Sequence, residues 1–225
     1  RGLDLEATTR IEPNDHQLTR RGARSRLRVG ATYRNRDLVT AALLSSDNRA
    51  VIALGRAVGL SPAAFAQAMT AKARSVGLKR VGFGDPTGLS YDNVASPEGI
   101  VLVLRAALTY DLIRRETSRK DAKITPAGKK TPVESYVNTN RLVRWGVEGI
   151  EVSKTGFNRE AGHCVAFALR LKDGRLVAVV VLRSRDRNAL FRDASRVVTW
   201  VRDAAADFKP EVPPPPEADV SPPQA

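Results

Sequence analysis

The chain has 225 residues, 42% hydrophobic, 27% charged and 5% aromatic, which is enough apolar material for one sizeable core in one or two lobes and excludes wholesale disorder. Thirty-seven Lys and Arg against 24 Asp and Glu give a net charge of +13, which fits a polyanionic or carboxylate-bearing partner, nucleic acid being one candidate among several. A single cysteine, Cys164, rules out an internal disulfide and, with only two histidines, argues against a Cys/His zinc site, so neither metal nor cofactor is expected.

In chain order, residues 1–34 read as short strands and loops, split by Pro13, Gly22 and a basic cluster from Arg20 to Arg28. That cluster lacks interleaved aromatic residues and reads as a solvated loop rather than a phosphate-binding patch. From Asn35 the period becomes helical through Leu38, Ala41, Ala42 and Leu44, breaks at SSDN, and resumes through Ala50, Ile52, Ala53, Leu54 and Ala57. A further amphipathic helix starts at Pro62 and is closed by Gly77. The segment FGDPTGLSYDN is turn chemistry, followed by a helix from about Pro97 to Leu108, so residues 37–115 form a helical lobe.

Residues 120–135 read as a loop. Three strands follow: Gly149 to Val152, Cys164 to Leu171 and Leu176 to Leu182, the last two joined at Asp173-Gly174, which signals a two-residue hairpin. The run Leu176 to Leu182 is the longest apolar stretch, far short of the roughly 18–20 residues that span a bilayer. Arg187 to Phe208 reads as a helix with Leu190, Ala194, Val197, Val198 and Val201 inward. Pro210 to Ala225 reads as a disordered or polyproline-like spacer. The expected fold class is α+β: a helical lobe and an antiparallel sheet with a covering C-terminal helix.

Two short polar motifs stand out, since GxGxxG, Walker, HExxH and GxSxG patterns are all absent. Ser46-Asp47-Asn48 falls where the helical pattern breaks; by itself it reads as a helix stop and N-cap. Lys154-Thr155-Gly156 ends a strand. Together, in this order and spacing, they are the second and third elements of the set SxxK, SxN, KTG. His163 and Cys164 are adjacent on a strand and face opposite sides, so they read as a surface histidine and a packed cysteine rather than a nucleophile pair. Asn138 and Asn140 read as turn supports near the cleft.

The wording SRLRVG, LLSSDNRA, MTAKARSVGL, DPTGLSYDN, NTNRL, SKTGFNREAGHC and AVVVL resembles the low-molecular-mass penicillin-binding proteins, the D-alanyl-D-alanine carboxypeptidase and endopeptidase family, over roughly residues 3–203. SSDNRA and KTGFNREAGHC are most similar to its DD-endopeptidase branch. The resemblance implies a β-lactamase/DD-peptidase-like fold over residues 1–208, with 209–225 as a proline-rich tail. It also implies a periplasmic serine DD-peptidase acting on peptidoglycan peptides and binding β-lactams, with no nucleic acid.

No lysine in the chain has a serine three positions before it, so the SxxK nucleophile is missing from this text. Because the chain begins at Arg1 without Met or an apolar signal region, it is expected to be a processed product or a piece, starting just after that element. The resemblance assigns Ser46 to proton relay, Asn48 to a substrate amide, Lys154 to fixed positive charge and Thr155 to the substrate carboxylate. Gly156 would admit the peptide backbone, and the Phe157 N–H would be an oxyanion donor, its ring covering the sheet. These groups are expected to line one cleft between lobe and sheet. The alternative is a non-catalytic remnant that binds peptidoglycan or a protein partner along the strand edge.

Overall fold

The computed structural model describes residues 2–129 and 133–207. Strand β1 (Thr8–Arg10) is followed, where loops were expected, by helix α1 (Pro13–Thr19). Pro13 opens this helix rather than breaking the chain, because a first-turn residue needs no N–H partner, and the Asp15 carboxylate accepts the Glu12 N–H (2.8 Å). Strand β2 (Thr32–Arg34) then pairs antiparallel with β1, Thr9 opposite Tyr33.

Helices α2 (Asn35–Ser45) and α3 (Asn48–Ala57) follow the expected period on either side of the SSDN break. Helix α4 (Pro62–Ser75) starts with the Ser61 hydroxyl accepting the Ala64 N–H, and Gly77 (φ 100°) turns the chain away after it. The two-residue strands β3 (Val81–Gly82) and β4 (Val94–Ala95) pair at the base of the Asp85–Asn93 loop. Helix α5 (Pro97–Ala107) is capped by Ser96, and α6 (Asp111–Ser118) carries the lobe slightly past its expected end.

Residues 120–135 are not all loop: β5 (Asp121–Ile124) pairs antiparallel with β6 (Glu134–Val137), burying Ala122, Ile124 and Tyr136 on alternate positions. After the short helix α7 (Arg141–Arg144) come β7 (Ile150–Asn158), β8 (Gly162–Arg170) and β9 (Leu176–Ser184), a three-stranded antiparallel sheet in that order. The first strand is longer than expected, so Lys154-Thr155-Gly156 lies inside β7 rather than beyond its end. The β8–β9 turn has three residues, not two. Leu171 accepts from Gly174 N–H (3.0 Å) and donates to the Arg175 carbonyl (2.8 Å), with Gly174 left-handed at φ 86°.

The sheet is covered on both faces, and β8 shows the alternation that permits it. Val165, Phe167 and Leu169 face α7 and α8 (Arg187–Asp207), packing with Leu142, Leu190, Phe191, Ala194 and Val198. Ala166 and Ala168 face α5 and α6, where small residues let Leu104, Ile100 and Ile113 approach. A separate core joins Ile11, Leu27, Tyr33, Leu38, Leu44, Ala50, Ile124 and Tyr136. The architecture is thus α+β, a helical lobe and an antiparallel sheet with a covering helix. The proline-rich segment expected after α8 lies outside the described residues.

Candidate active site

Helix α2 ends because Ser46 adopts the left-handed conformation (φ 57°), its N–H reaching back to the Ala41 carbonyl. Few non-glycine residues sit there, and the surrounding contacts must hold it. They do so through the next residue. The Asp47 carboxylate accepts the N–H groups of Arg49 (3.1 Å) and Ala50 (3.2 Å), capping α3, and also accepts the hydroxyls of Ser25 (2.8 Å) and Tyr136 (3.4 Å). Burial first, and the Asp47 charge second, raise the Tyr136 pKa and keep its hydroxyl a donor. Asp47 is therefore the cap, and the residues on either side of it, Ser46 and Asn48, are left for other work.

From the sheet, β7 brings Lys154 to this junction. Its ammonium donates to the Ser46 hydroxyl and to the Thr155 carbonyl (3.1 Å). Although the residue as a whole is half-buried, the ammonium end is enclosed, and burial lowers its pKa from 10.5 to about 8. Among the described residues no carboxylate is paired with it.

The neighbouring Thr155 hydroxyl donates to the Thr139 hydroxyl (2.7 Å), which in turn reaches the Leu44 carbonyl at the end of α2 (3.4 Å). The Arg187 guanidinium donates to the Thr139 carbonyl (3.3 Å), bringing a second cation to the Thr155 end of the site. Burial and the nearby Arg141 and Arg144 lower the Arg187 pKa, so an anion arriving here would relieve local repulsion.

Gly156 is exposed, its φ is unremarkable, and an added Cβ would meet only Cys164 at 4.0 Å. Among the described residues nothing requires glycine there; what a side chain would obstruct is the outer edge of β7, which among them pairs only with β8. Phe157 is 62% exposed, and its ring stacks on His163 across the strand pair (4.3 Å between centroids) rather than covering the apolar face. The Cys164 thiol is turned to the Ala161 carbonyl (3.4 Å), not to His163. Asn48 is buried, and its carboxamide has no hydrogen-bond partner among the described residues. It lies against Gly22, where an added Cβ would fall 2.2 Å from Nδ2.

The structure thus joins Ser46 to Lys154 and puts Thr155, Gly156 and Phe157 in sequence along one open strand edge. Asn138 and Asn140 support this arrangement from below: Asn138 Nδ2 ties the Thr117 and Arg119 carbonyls (both 2.9 Å), and Asn140 caps α7. Sequence reasoning overlooked Thr139, Arg187, Ser25 and Tyr136. Thr139 lies between two asparagines whose turn chemistry is the stronger local signal, and nothing in local spacing signals the other three. Among the described residues no group of three His, Cys, Asp or Glu converges as a metal site, and no single helix is long and apolar enough to cross a membrane. A separate groove of about 640 Å³ between α7 and α8, lined by Trp145, Phe191 and Trp200, shares no residue with this constellation.

A sequence model of the D-alanyl-D-alanine carboxypeptidase family matches residues 3–185. The chain is 35% identical to the D-alanyl-D-alanine endopeptidase of Escherichia coli over 182 residues, 80% of this chain and 58% of that protein. It is 33% identical to the D-alanyl-D-alanine endopeptidase of Pseudomonas aeruginosa over 181 residues, with the same shares. The chain therefore spans under two thirds of the length of these curated relatives. Among solved structures, the Streptomyces K15 DD-transpeptidase superposes with a TM-score of 0.79 at 23% identity, covering 88% of this chain and 80% of that one.

Proposed function

Because the chain belongs to the D-alanyl-D-alanine carboxypeptidase family, we propose that it forms the substrate-holding and proton-moving part of a serine-type DD-peptidase acting on peptidoglycan stem peptides or cross-links. The observation that carries this reading is the hydrogen bond from the Lys154 ammonium to the Ser46 hydroxyl, which couples the helix junction to the sheet edge. In this reading the attacking serine belongs to a Ser-x-x-Lys element, which the 225 residues do not contain.

The chemistry follows from the groups. The substrate lies along β7 as an added strand, its backbone passing the bare Gly156. Its terminal carboxylate meets the Thr155 hydroxyl and the positive charge of Lys154 and Arg187, while the Asn48 carboxamide is free to bind a substrate amide. The serine oxygen adds to the scissile carbonyl as its proton passes to the lysine of the same Ser-x-x-Lys element and on toward Ser46, the oxyanion is held by N–H groups that include Phe157, and the C–N bond breaks. Ser46, bonded to Lys154, passes a proton to the departing amine. Water then releases the acyl group. A β-lactam would enter by the same route, and the site of action would be the periplasm.

The test is covalent. Joined to a Ser-x-x-Lys-bearing segment from the same family, the protein should gain the mass of one intact penicillin on that serine, and the 225-residue chain alone should not. Failure of the joined protein to label would overturn the reading. The open outer edge of β7, which among the described residues is paired on one side alone, supports one second reading, a non-catalytic module that binds peptidoglycan peptides or a protein partner along that edge. Peptide binding without labelling of the joined protein would select it.

A further inference from the structure

The basic loop between α1 and β2 is not simply a solvated surface segment: it is fastened to the helix junction that carries the site. The Ser25 hydroxyl donates to Asp47 (2.8 Å), and the Leu27 N–H donates to the Ser25 hydroxyl (3.1 Å). Leu27 is buried in the lobe core and its carbonyl accepts from Arg49, while the Arg28 N–H donates to the Tyr33 hydroxyl (3.1 Å). Gly22 abuts both Asn48 and Leu89.

The arginines of this loop fall into two groups. Arg28 pairs with Glu134 (2.8 Å) and Arg26 lies over the Tyr136 ring (5.5 Å). Arg20, Arg21 and Arg24 are exposed and have neither ion pair nor hydrogen bond among the described residues. The carboxylates of the packed elements are already engaged: Glu12 and Asp15 with Arg56, Asp47 with four donors, Glu134 with Arg28. Three uncompensated cations are thus held within two residues of a glycine that touches Asn48.

We propose that Arg20, Arg21 and Arg24 form a subsite for a side-chain carboxylate of the peptide substrate, set back from the scissile bond; the assignment rests on the peptidase reading above. Ser46 and Asn48 are two residues apart, and the loop arginines begin one or two residues from the Gly22 contact. The subsite therefore lies on the order of 10 Å from the reacting centre, about three residues of extended peptide. A peptide strand with an acidic residue at that remove matches this spacing, and a rigid loop loses less freedom on binding it than a mobile one would.

The experiment compares two fluorescent pentapeptides ending in D-alanyl-D-alanine. They are identical except that the glutamyl residue three positions before the terminus carries a free carboxylate in one and an amide in the other. Anisotropy titration of the 225-residue chain at low salt should show the free-carboxylate peptide binding about fivefold more tightly, the size expected of exposed charge pairs. The ratio should shrink at 0.5 M salt. In the Arg20→Gln, Arg21→Gln, Arg24→Gln triple variant the ratio should fall to within twofold of one, whereas Arg28→Gln, already paired to Glu134, should keep it. Equal binding of the two peptides by the parent chain would overturn the subsite and leave the peptidase reading standing. Binding of neither peptide would overturn both. Displacement of both peptides alike by heparin would also overturn the subsite, showing a non-selective polyanion surface.

Discussion

Ser46 and Lys154, 108 positions apart in the sequence, share a hydrogen bond that closes the cleft between the helical lobe and the sheet. Each end is set by its own local device: the left-handed turn that ends α2 presents the hydroxyl, and the alternation of β7 presents the ammonium. The roles assigned to the two residues differ, and this separates their variants.

In the protein joined to a Ser-x-x-Lys segment, Lys154→Ala should slow penicillin acylation by about two to three orders of magnitude, the usual cost of removing a preorganised charge from a reacting centre. Ser46→Ala should slow peptide cleavage more than acylation by penicillin, because only the peptide expels an amine that must be protonated on leaving. Parallel stopped-flow acylation and peptide-release assays check the split. Equal losses in both assays would contradict the relay role.

Gly22→Ala is expected to act at a distance in sequence. The new methyl would fall 2.2 Å from the Asn48 amide nitrogen and 3.3 Å from a Leu89 methyl. Asn48 is short and can rotate, so the fold should lose only about 1 kcal/mol, a typical cost for a single substitution. The displaced carboxamide should weaken binding of a D-alanyl-D-alanine peptide by about tenfold, close to the loss caused by Asn48→Ala. Urea melts and peptide titrations of the two variants test this.

The Lys154 ammonium titrates near 8 in the folded protein and near 10.5 when exposed. Between those values the unfolded chain holds more protons, so stability from this residue rises with pH across the window, by up to about 1.4 kcal/mol per pH unit. Below pH 8 both states are protonated and burial of the charge opposes folding. Lys154→Met should remove the slope and be more stable than the parent at pH 7. Denaturant midpoints from pH 7 to 10.5, parent against variant, measure it; parallel curves would show that the ammonium is not enclosed.

Gly149, just before β7, has φ 81°, and a methyl there would meet the Arg170 carbonyl oxygen at 2.2 Å. Both backbone strain and collision oppose any side chain. Gly149→Ala should destabilise by about 2–4 kcal/mol and lower peptide binding in proportion to the unfolded fraction only. Gly156→Ala is the contrasting case: it meets only Cys164 at 4.0 Å, so stability should hold while peptide affinity falls.

Much of this fold was legible because its signals are local. Helices α2 to α5 and α8 declare themselves by apolar period and by caps such as Ser61 and Ser96, β9 by a dense run of valines and β8 by a short apolar run. Helix α1 is hidden in the sequence because a proline ordinarily signals a break, whereas Asp15 two residues on completes a capping box that makes Pro13 a helix start. The β5–β6 pair was hidden because each strand has four residues, two of them buried at most, and Lys, Thr, Pro and Gly dominate the stretch between them. In the candidate site, Ser46 and Lys154 could be picked out by motif. Thr139 and Arg187 could not, since their place beside Thr155 exists only after β6, α7 and α8 have packed.

Two of the polar groups in the resting cleft are already answered from within: Lys154 has Ser46, and Thr155 has Thr139. At these two positions an arriving peptide must trade bonds, whereas at Asn48 it fills an empty one, and the trade is neutral only for a ligand that replaces both bonds at once. A mimic that satisfies one and orphans the other faces an energetic toll inside a partly enclosed space, where a lost partner is felt most. Self-occupancy of this kind sacrifices tightness for discrimination. It makes the pair of internal bonds a gatekeeper, one that rejects wrong ligands without any part of the protein having to move into their way.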